Sequence, residues 1–164
     1  VCCERGMTMA EAAEGLLTFR GFKHRQQVYA DGRFTVMDDS YNASPASMKA
    51  ALDVFKGLTG KRHIAVLADM KELGENYLEY HREVGEYAAN SGVDLVVTLG
   101  EASKCLAEGA RAVKDIPVVE FLDCGEMVKY LEREVHAGDC VLFKGSNSMG
   151  LSAVADKFAE MAGK

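Results

Sequence analysis

The feature that most constrains the fold of this 164-residue chain is a regular alternation of short apolar runs with longer amphipathic stretches. The apolar runs are rich in residues that favour strands, and the amphipathic stretches have the length and periodicity of helices. This alternation predicts βαβ units, a largely parallel sheet, and right-handed connections that place helices on both faces. The predicted strands are 63–68, 94–99, 117–122 and 139–143, and the predicted helices are 45–57, 77–90, 101–113, 124–136 and 149–162.

The N-terminal part of the chain follows a different pattern. Residues 8–18 read as a helix, which a glycine-containing break then ends. The runs 24–30 and 33–38 flank Asp31 and Gly32, a strong signal for two antiparallel strands joined by a two-residue turn. We therefore expect an antiparallel hairpin to precede the parallel part of the sheet.

The composition limits the class of protein. With 48% hydrophobic residues, the chain can bury one core without disulfides. Its five cysteines are an odd number and contain no C-x-x-C pair, which argues against a disulfide framework or a zinc site and favours a reducing compartment. We find no apolar run of roughly 20 residues and no signal peptide, so we expect a cytoplasmic protein that does not enter membranes. A net charge of −6 without a Lys/Arg cluster argues against nucleic acid as a partner.

Polar or glycine-bearing loops follow the predicted strands at their carboxyl ends, where open α/β sheets bind ligands. The three richest are 39–42, 69–72 and 144–148. Polar loops are common in any α/β domain, and many only begin the next helix. Because the carboxyl ends of parallel strands share one edge, we nevertheless expect these three loops to form one functional site.

The first of these loops carries two acids, a tyrosine and an amide in close succession. Ser44 followed by Pro45 is an ordinary helix start, in which the hydroxyl caps free N–H groups and proline takes the first helical position. That explanation leaves four side chains without a structural reason: Asp38, Asp39, Tyr41 and Asn42.

The loop after the last predicted strand has the glycine spacing of a phosphate loop without its chemistry. Gly145 and Gly150 enclose four residues, but no Lys and Ser/Thr follow the second glycine. Free N–H groups at the start of the following helix, near residue 149, still favour an anion such as a carboxylate, and Lys144 stands beside them. The alternative is a tight glycine turn capped by Ser146 or Ser148.

Three stretches together resemble one protein family. They are D-D-S-Y-N-A at 38–43, L-A-D-M-K-E-L-G at 67–74 and K-G-S at 144–146, with His81 on the intervening helix. The combination resembles the C-terminal domain of the Mur ligases, most of all the type that adds D-alanyl-D-alanine to UDP-N-acetylmuramoyl-tripeptide. Residues 23–164 are similar to that Rossmann-like domain, and residues 1–22 to the tail of the central ATPase domain.

The resemblance implies a part in joining an amine to a carboxylate. In this family ATP, with Mg²⁺, phosphorylates the carboxyl group, and the amine then displaces phosphate. The resemblance places Arg25 at the ATP phosphates, Asp39 at the ribose, and Tyr41 and Asn42 near the nucleotide. It places D-alanyl-D-alanine at four residues of the other two loops: Asp69, Lys144, Ser146 and Asn147.

This chain departs from the family pattern at two positions. Relatives usually have arginine where this chain has Asn147, which brings no charge, and glycine where it has Ala68. The family's phosphate loop, metal ligands and UDP-sugar site lie in the N-terminal and central domains. We therefore expect this chain alone to contain no catalytic residue or metal ligand, to bind no cofactor tightly and to be inactive. The alternatives are another ligase of the superfamily, which adds a different amino acid or extends folate with glutamate, and a non-catalytic α/β module that binds small molecules.

Overall fold

A six-stranded sheet organises the chain. The structure is a computed structural model that describes residues 3–17 and 21–163. The strands are β1 (Gln27–Tyr29), β2 (Thr35–Asp38), β3 (Arg62–Ala68), β4 (Leu95–Leu99), β5 (Val118–Phe121) and β6 (Asp139–Lys144). The helices are α1 (Met9–Leu17), α2 (Pro45–Lys56), α3 (Tyr77–Asn90), α4 (Ser103–Val113), α5 (Cys124–Glu134) and α6 (Leu151–Ala162), with short 3₁₀ turns at Cys3–Arg5 and Asn147–Met149.

The strand order is β1-β2-β6-β3-β4-β5. β1 runs antiparallel to β2, and every other neighbouring pair is parallel. The last strand of the sequence, β6, lies between β2 and β3, so that Val141 pairs with Val36 on one side and with Ile64 on the other. The predicted fold, a mostly parallel α/β sheet with an antiparallel hairpin at its start, is confirmed.

Helices cover both faces of the sheet, as the sequence pattern predicted. On one face α5 and α6 pack against the strands, where Leu131 and Phe158 share a core with Phe143. On the other face α2, α3 and α4 do so, where Phe55 shares a core with Leu142. Neighbouring residues of β6 belong to opposite cores because successive side chains of a strand point to opposite faces. Each large apolar side chain buried in this way contributes about 1.5–3 kcal/mol.

The turn of the hairpin differs from the prediction. Residues 30–34 join β1 to β2, instead of two residues. Gly32 does not adopt the positive φ that a two-residue turn of this kind requires. It lies against the end of α6 instead: a Cβ there would stand 2.2 Å from the Ala162 carbonyl oxygen, and the neighbouring Arg33 N–H donates to that oxygen at 2.8 Å. Contact with α6 therefore decides the path of this connection.

The predicted N-terminal helix is present as α1. A capping box begins it, because Thr8 Oγ1 accepts from Glu11 N and Glu11 Oε2 accepts from Thr8 N. Its apolar side chains are largely exposed: Met9, Leu16 and Leu17. Within residues 3–17 and 21–163, none of the helices has the length and apolar character needed to cross a bilayer.

Candidate functional site

Three loops meet at the carboxyl edge of the sheet, after β2, β6 and β3. The loop after β6 lies between the other two, as the strand order requires. Backbone hydrogen bonds join them: Asp39 N donates to Phe143 O at 3.0 Å, and Ser146 N donates to Asp69 O at 3.0 Å. The prediction that these loops share one edge is confirmed.

Two of the cavities that open at this edge are lined by residues of these three loops. The first, which we call the β2 cavity, has a volume of about 420 Å³ and lies over the loop after β2. The second, which we call the β6 cavity, has a volume of about 330 Å³ and lies between the loops after β3 and β6. Tyr41 and Asn42 line both cavities. The cavities therefore share a wall, and ligands bound in them would be neighbours.

The four residues expected near ATP all line the β2 cavity: Arg25, Asp39, Tyr41 and Asn42. The guanidinium carbon of Arg25 lies 4.1 Å from the centroid of the Tyr41 ring, in a cation–π contact. Both side chains are exposed. They give the cavity mouth a cation and an aromatic surface, which suit a negatively charged ligand that carries a ring.

The segment that carries Arg25 is held in an unusual backbone conformation. His24 has a φ of 61° and Gln26 a φ of 47°, in the left-handed region that residues with side chains rarely adopt. Three hydrogen bonds hold the segment against the end of β2 and the loop after it: Tyr41 N to His24 O at 3.0 Å, Gln26 N to Asp39 Oδ1 at 3.1 Å, and His24 Nδ1 with Asp38 Oδ2 at 2.7 Å. These contacts stabilise the strained backbone and fix the start of the Arg25 side chain. No sequence pattern singled out His24 or Gln26.

We had expected Lys144 to stand free beside the loop after β6, but the structure shows that it does not. The residue is 1% exposed. Its ammonium lies 2.7 Å from Asp39 Oδ2 and 3.0 Å from Asn42 O, with a longer contact of 3.4 Å to Asp39 O. The ammonium is thus bonded to the loop after β2, at the inner end of the β2 cavity, and supplies no free charge to the β6 cavity.

The β6 cavity is lined by two of the residues expected to hold the dipeptide, Ser146 and Asn147, and also by Lys71. Ser146 Oγ accepts from Lys71 N at 2.8 Å, so the hydroxyl keeps its own proton to donate. The Asn147 side chain is exposed. Among the described residues that line this cavity, Lys71 is the cation, and its side chain is 50% exposed. Lys71 lies in the L-A-D-M-K-E-L-G stretch at 67–74, but no sequence pattern assigned it a role.

The turn after β6 differs from both of the arrangements that we considered. The N–H groups of Met149 and Gly150, expected to be free for an anion, donate to Ser146 O and Asn147 O inside a 3₁₀ turn. Helix α6 begins only after this turn, at Leu151. No serine side chain caps the 3₁₀ turn or α6. An anion in the β6 cavity would therefore depend on side chains more than on these two N–H groups.

Asp69 is not among the residues that line the β6 cavity, but it bonds Lys71, which lines it. Its Oδ1 accepts from Ser103 N and Oγ, both at 2.8 Å, at the start of α4, and its Oδ2 accepts from Lys71 Nζ at 2.9 Å. A Cβ on Gly100 (φ 119°) would lie 2.4 Å from this carboxylate. Burial raises the pKa of Asp69, but the hydrogen bonds from Lys71 and Ser103 outweigh burial and hold it below the ordinary value. Asp69 is thus an ionised group that orients Lys71.

The sequence itself matches a known protein family. The profile described as "Mur ligase, glutamate ligase domain" matches residues 24–147, which is most of the chain. The chain belongs to the Mur ligase family. The UDP-N-acetylmuramoyl-tripeptide–D-alanyl-D-alanine ligase of Bacillus subtilis is 30% identical over 158 residues, which cover 94% of this chain and 35% of that enzyme. The enzyme of the same name from Synechocystis is 36% identical over 138 residues, which cover 82% and 30%.

Solved structures of Mur ligases have the same fold. The MurF ligase of Thermotoga maritima in complex with ADP superposes with a TM-score of 0.78 at 27% identity, and the match covers 97% of this chain and 36% of that one. MurF from Acinetobacter baumannii superposes with a TM-score of 0.83 at 24% identity over 97% of this chain and 35% of that one. The chain thus spans about a third of the length of the relatives that it matches.

His81 of this Mur ligase domain is a buried structural residue. It is 0% exposed, its Nε2 accepts from Met70 N at 2.9 Å, and its Nδ1 donates to Tyr77 O at 2.6 Å. An imidazole that accepts at one nitrogen and donates at the other is neutral. His81 therefore fixes the loop after β3 and has no nitrogen left for a ligand.

One group of possible metal ligands occurs in the described parts of the domain: His24, Asp38 and Asp156. His24 bonds Asp38 at 2.7 Å, and Lys23 Nζ pairs with Asp156 at 2.9 Å, so the three side chains already have partners. Burial raises the pKa of the Cys140 thiol to about 11, so it remains protonated at neutral pH. Neither feature adds chemistry to the two cavities.

Proposed function

We propose that this domain is the C-terminal part of a longer ATP-dependent ligase that joins D-alanyl-D-alanine to UDP-N-acetylmuramoyl-tripeptide in peptidoglycan precursor synthesis. Relatives that match over most of the chain are named for that reaction. The observation that carries the proposal is the shared wall between the two cavities. A ligase must bring its nucleotide and its amine to the same carboxyl group, and two adjacent cavities provide that proximity.

The β2 cavity takes the nucleotide in this proposal. The Arg25 guanidinium can form paired hydrogen bonds with phosphate oxygens. Asp39 Oδ1 and Oδ2 each accept one hydrogen bond within the domain and retain a lone pair for a ribose hydroxyl. Tyr41 and Asn42 flank the nucleotide. These residues fit ATP, which supplies the phosphoryl group that activates the carboxylate.

The β6 cavity takes the dipeptide. The Ser146 hydroxyl and the Asn147 amide donate to its terminal carboxylate, and Lys71 supplies the positive charge that we had first assigned to Lys144. Asp69 acts on the dipeptide indirectly, because its Oδ2 holds the Lys71 ammonium. The cavity thus offers a carboxylate neutral donors and one cation, beside one acid, Glu72, that also lines it.

Other parts of the reaction are assigned to the rest of the protein. Asp39 is the only acid among the described residues that line the β2 cavity, and Lys144 already bonds it. We therefore place the Mg²⁺ ligands, the phosphate loop and the site for the UDP-linked precursor outside this chain. Residues 1–22, with the exposed apolar side chains of α1, form the tail of the preceding domain. We place the enzyme in the cytoplasm, in keeping with four free thiols among the described residues.

Ligation by the intact protein tests this function. The protein is incubated with ATP, UDP-N-acetylmuramoyl-tripeptide and one amine at a time: D-alanyl-D-alanine, D-alanine, or glutamate. We expect the mass of one dipeptide to be added to the precursor, with one ADP formed for each product molecule. Selective use of glutamate, or glutamate addition to a folate, would assign the domain to another branch of the superfamily. The isolated 164-residue chain serves as the control and should neither hydrolyse ATP nor ligate.

A further inference from the structure

Lys144 is a buried cation at the β2 cavity. Its ammonium directs all of its contacts to one segment of the chain, at Asp39 and Asn42, and its side chain is 2% exposed. A buried ammonium is costly to remove from water, and apolar residues can often replace a buried ion pair without loss of stability. Stability alone therefore does not explain a lysine at this position.

The segment that Lys144 holds forms the wall shared by the two cavities. Tyr41 and Asn42 line both cavities, and Lys144 bonds the carbonyl oxygen of Asn42. It also bonds Asp39 Oδ2, while Asp39 Oδ1 accepts from Gln26 N in the strained segment next to Arg25. One ammonium thus connects both sides of the β2 cavity with the shared wall.

The same strand end fixes the opposite wall of the β6 cavity. Two residues after Lys144, Ser146 N donates to Asp69 O, and Ser146 Oγ accepts from Lys71 N. The end of β6 is therefore bonded to the loop after β2 through Lys144 and to the loop after β3 through Ser146. A shift of either contact would change the distance between the two cavities.

We propose that Lys144 is a positioning residue that sets the shared wall, so that nucleotide and dipeptide are held in one fixed relative arrangement. Lys144 contacts neither the dipeptide carboxylate nor the reacting carboxyl group; it acts through Asn42 and Asp39. This role rests on the proposed function of the two cavities.

The test is the kinetics of Lys144→Met in the intact protein, with ATP and dipeptide varied separately. We expect the KM for each to rise about tenfold, since one buried charge-assisted contact is lost on the wall that both ligands use. Ser146→Ala should raise the dipeptide KM alone, about fivefold, because its hydroxyl reaches only the β6 cavity. Lys104→Met removes an exposed ammonium on α4 and should change neither constant. An increase in only one KM for Lys144→Met would overturn the proposal.

A double variant, Asp39→Asn with Lys144→Met, separates positioning from charge balance. It removes both charges of the buried pair, so we expect its unfolding temperature to be close to that of the unaltered protein. The dipeptide KM should stay about tenfold raised, because the contact with Asn42 is still missing. If the dipeptide KM instead returns to its original value, Lys144 only neutralises Asp39 and the proposal is wrong.

The double variant also carries the test if Lys144→Met alone does not fold. Ligation by the unaltered protein tests the proposed function independently of every variant. If the unaltered protein uses an amine other than the dipeptide, the same variants are compared with that amine, and the expected pattern is unchanged.

Discussion

Both ends of the sheet carry a cation that joins neighbouring segments, but the two cations have different surroundings. At the amino end, Arg62 begins β3 and donates to Asp139 Oδ2 at 2.8 Å and to Glu134 Oε1 and O, both at 2.6 Å. At the carboxyl end, Lys144 ends β6 and bonds Asp39 and Asn42. Arg62 lines neither the β2 nor the β6 cavity, whereas the partners of Lys144 line one or both.

Similar ion pairs in one fold can therefore serve different purposes. The hydrogen bonds of Arg62 join three elements: β3, β6 and α5. Asp139 Oδ2 also accepts from His136 N at 2.8 Å. Loss of this network should cost stability and leave binding intact. Around Asp39, the same kind of pair borders a cavity, so its loss should affect ligands first. Four variants test this distinction, in order of decreasing effect.

Asp39→Ala should give the largest effect. In the intact protein we expect the KM for ATP to rise about tenfold to a hundredfold, the equivalent of losing roughly 1.5–3 kcal/mol of charge-assisted hydrogen bonding. Steady-state kinetics with ATP varied at saturating dipeptide measures it. Asp123→Ala is the matched control, because Asp123 caps α5 at the same edge of the sheet through Glu126 N and should not alter the ATP constant. An unchanged KM for Asp39→Ala would move Asp39 to a structural role.

Arg62→Ala should give the opposite pattern. We expect the 164-residue chain to lose about 2 kcal/mol of unfolding free energy, because the buried Asp139 keeps its charge but loses its partner. In the intact protein both KM values should stay within about twofold. Lys157→Ala, which breaks an exposed ion pair with Glu132, is the control and should cost less than about 1 kcal/mol. A rise in either KM without loss of stability would contradict the separation of the two ends.

Asp69→Asn tests a pair that stabilises the fold and also orients a cavity residue. Because the pKa of Asp69 is lowered in the folded chain, its stabilisation is present above the ordinary carboxyl pKa of about 4 and is lost as pH falls through the lower folded value. We expect the variant to lose about 1 kcal/mol at pH 7 and the difference to vanish in acid. Urea unfolding of both chains from pH 7 downwards measures it.

The control for the pH dependence is Asp115→Asn, which changes an exposed carboxylate in the loop before β5. It should alter the free energy of unfolding by less than about 0.5 kcal/mol at each pH. A deficit for Asp69→Asn that persists unchanged in acid would show that lost packing, and not lost charge, causes the destabilisation.

Local signals predicted the fold well wherever the structure itself uses local contacts. Ser44 and Ser47 form a capping box at α2 with Pro45 in its first turn, and Asp123 accepts from Glu126 N at the start of α5. The prediction of a two-residue hairpin turn was wrong because Gly32 contacts α6. Helix α6 lies far along the chain, so the local sequence around Gly32 does not indicate this contact.

The sequence predicted which loops form the candidate site but not which groups Lys144 bonds. From its position in the chain we predicted that Lys144 acts at the loop after β6. In the structure its side chain bonds the loop after β2 instead. Side-chain alternation could have found this: Leu142 faces the core that contains α2, and Lys144 is two residues later on the same face. Because α2 covers that face and Asn42 lies just before α2, a bond from Lys144 to Asn42 agrees with this orientation. The strained conformation at His24 depends on tertiary contacts, and no sequence pattern encoded it.

Asn147→Arg should give the smallest effect and test the β6 cavity most specifically. Asn147 is exposed at the cavity, and arginine there adds a cation beside the proposed carboxylate. We expect the dipeptide KM to be equal or lower, by up to about fivefold, since an exposed ion pair contributes about 0–1 kcal/mol. Any gain should diminish at high ionic strength, because salt screens exposed charges. Asn90→Arg makes the same change of charge on an exposed position of α3, away from both cavities, and should have no effect. If Asn147→Arg abolishes use of the dipeptide while ATP binding survives, the carboxylate does not lie at this loop.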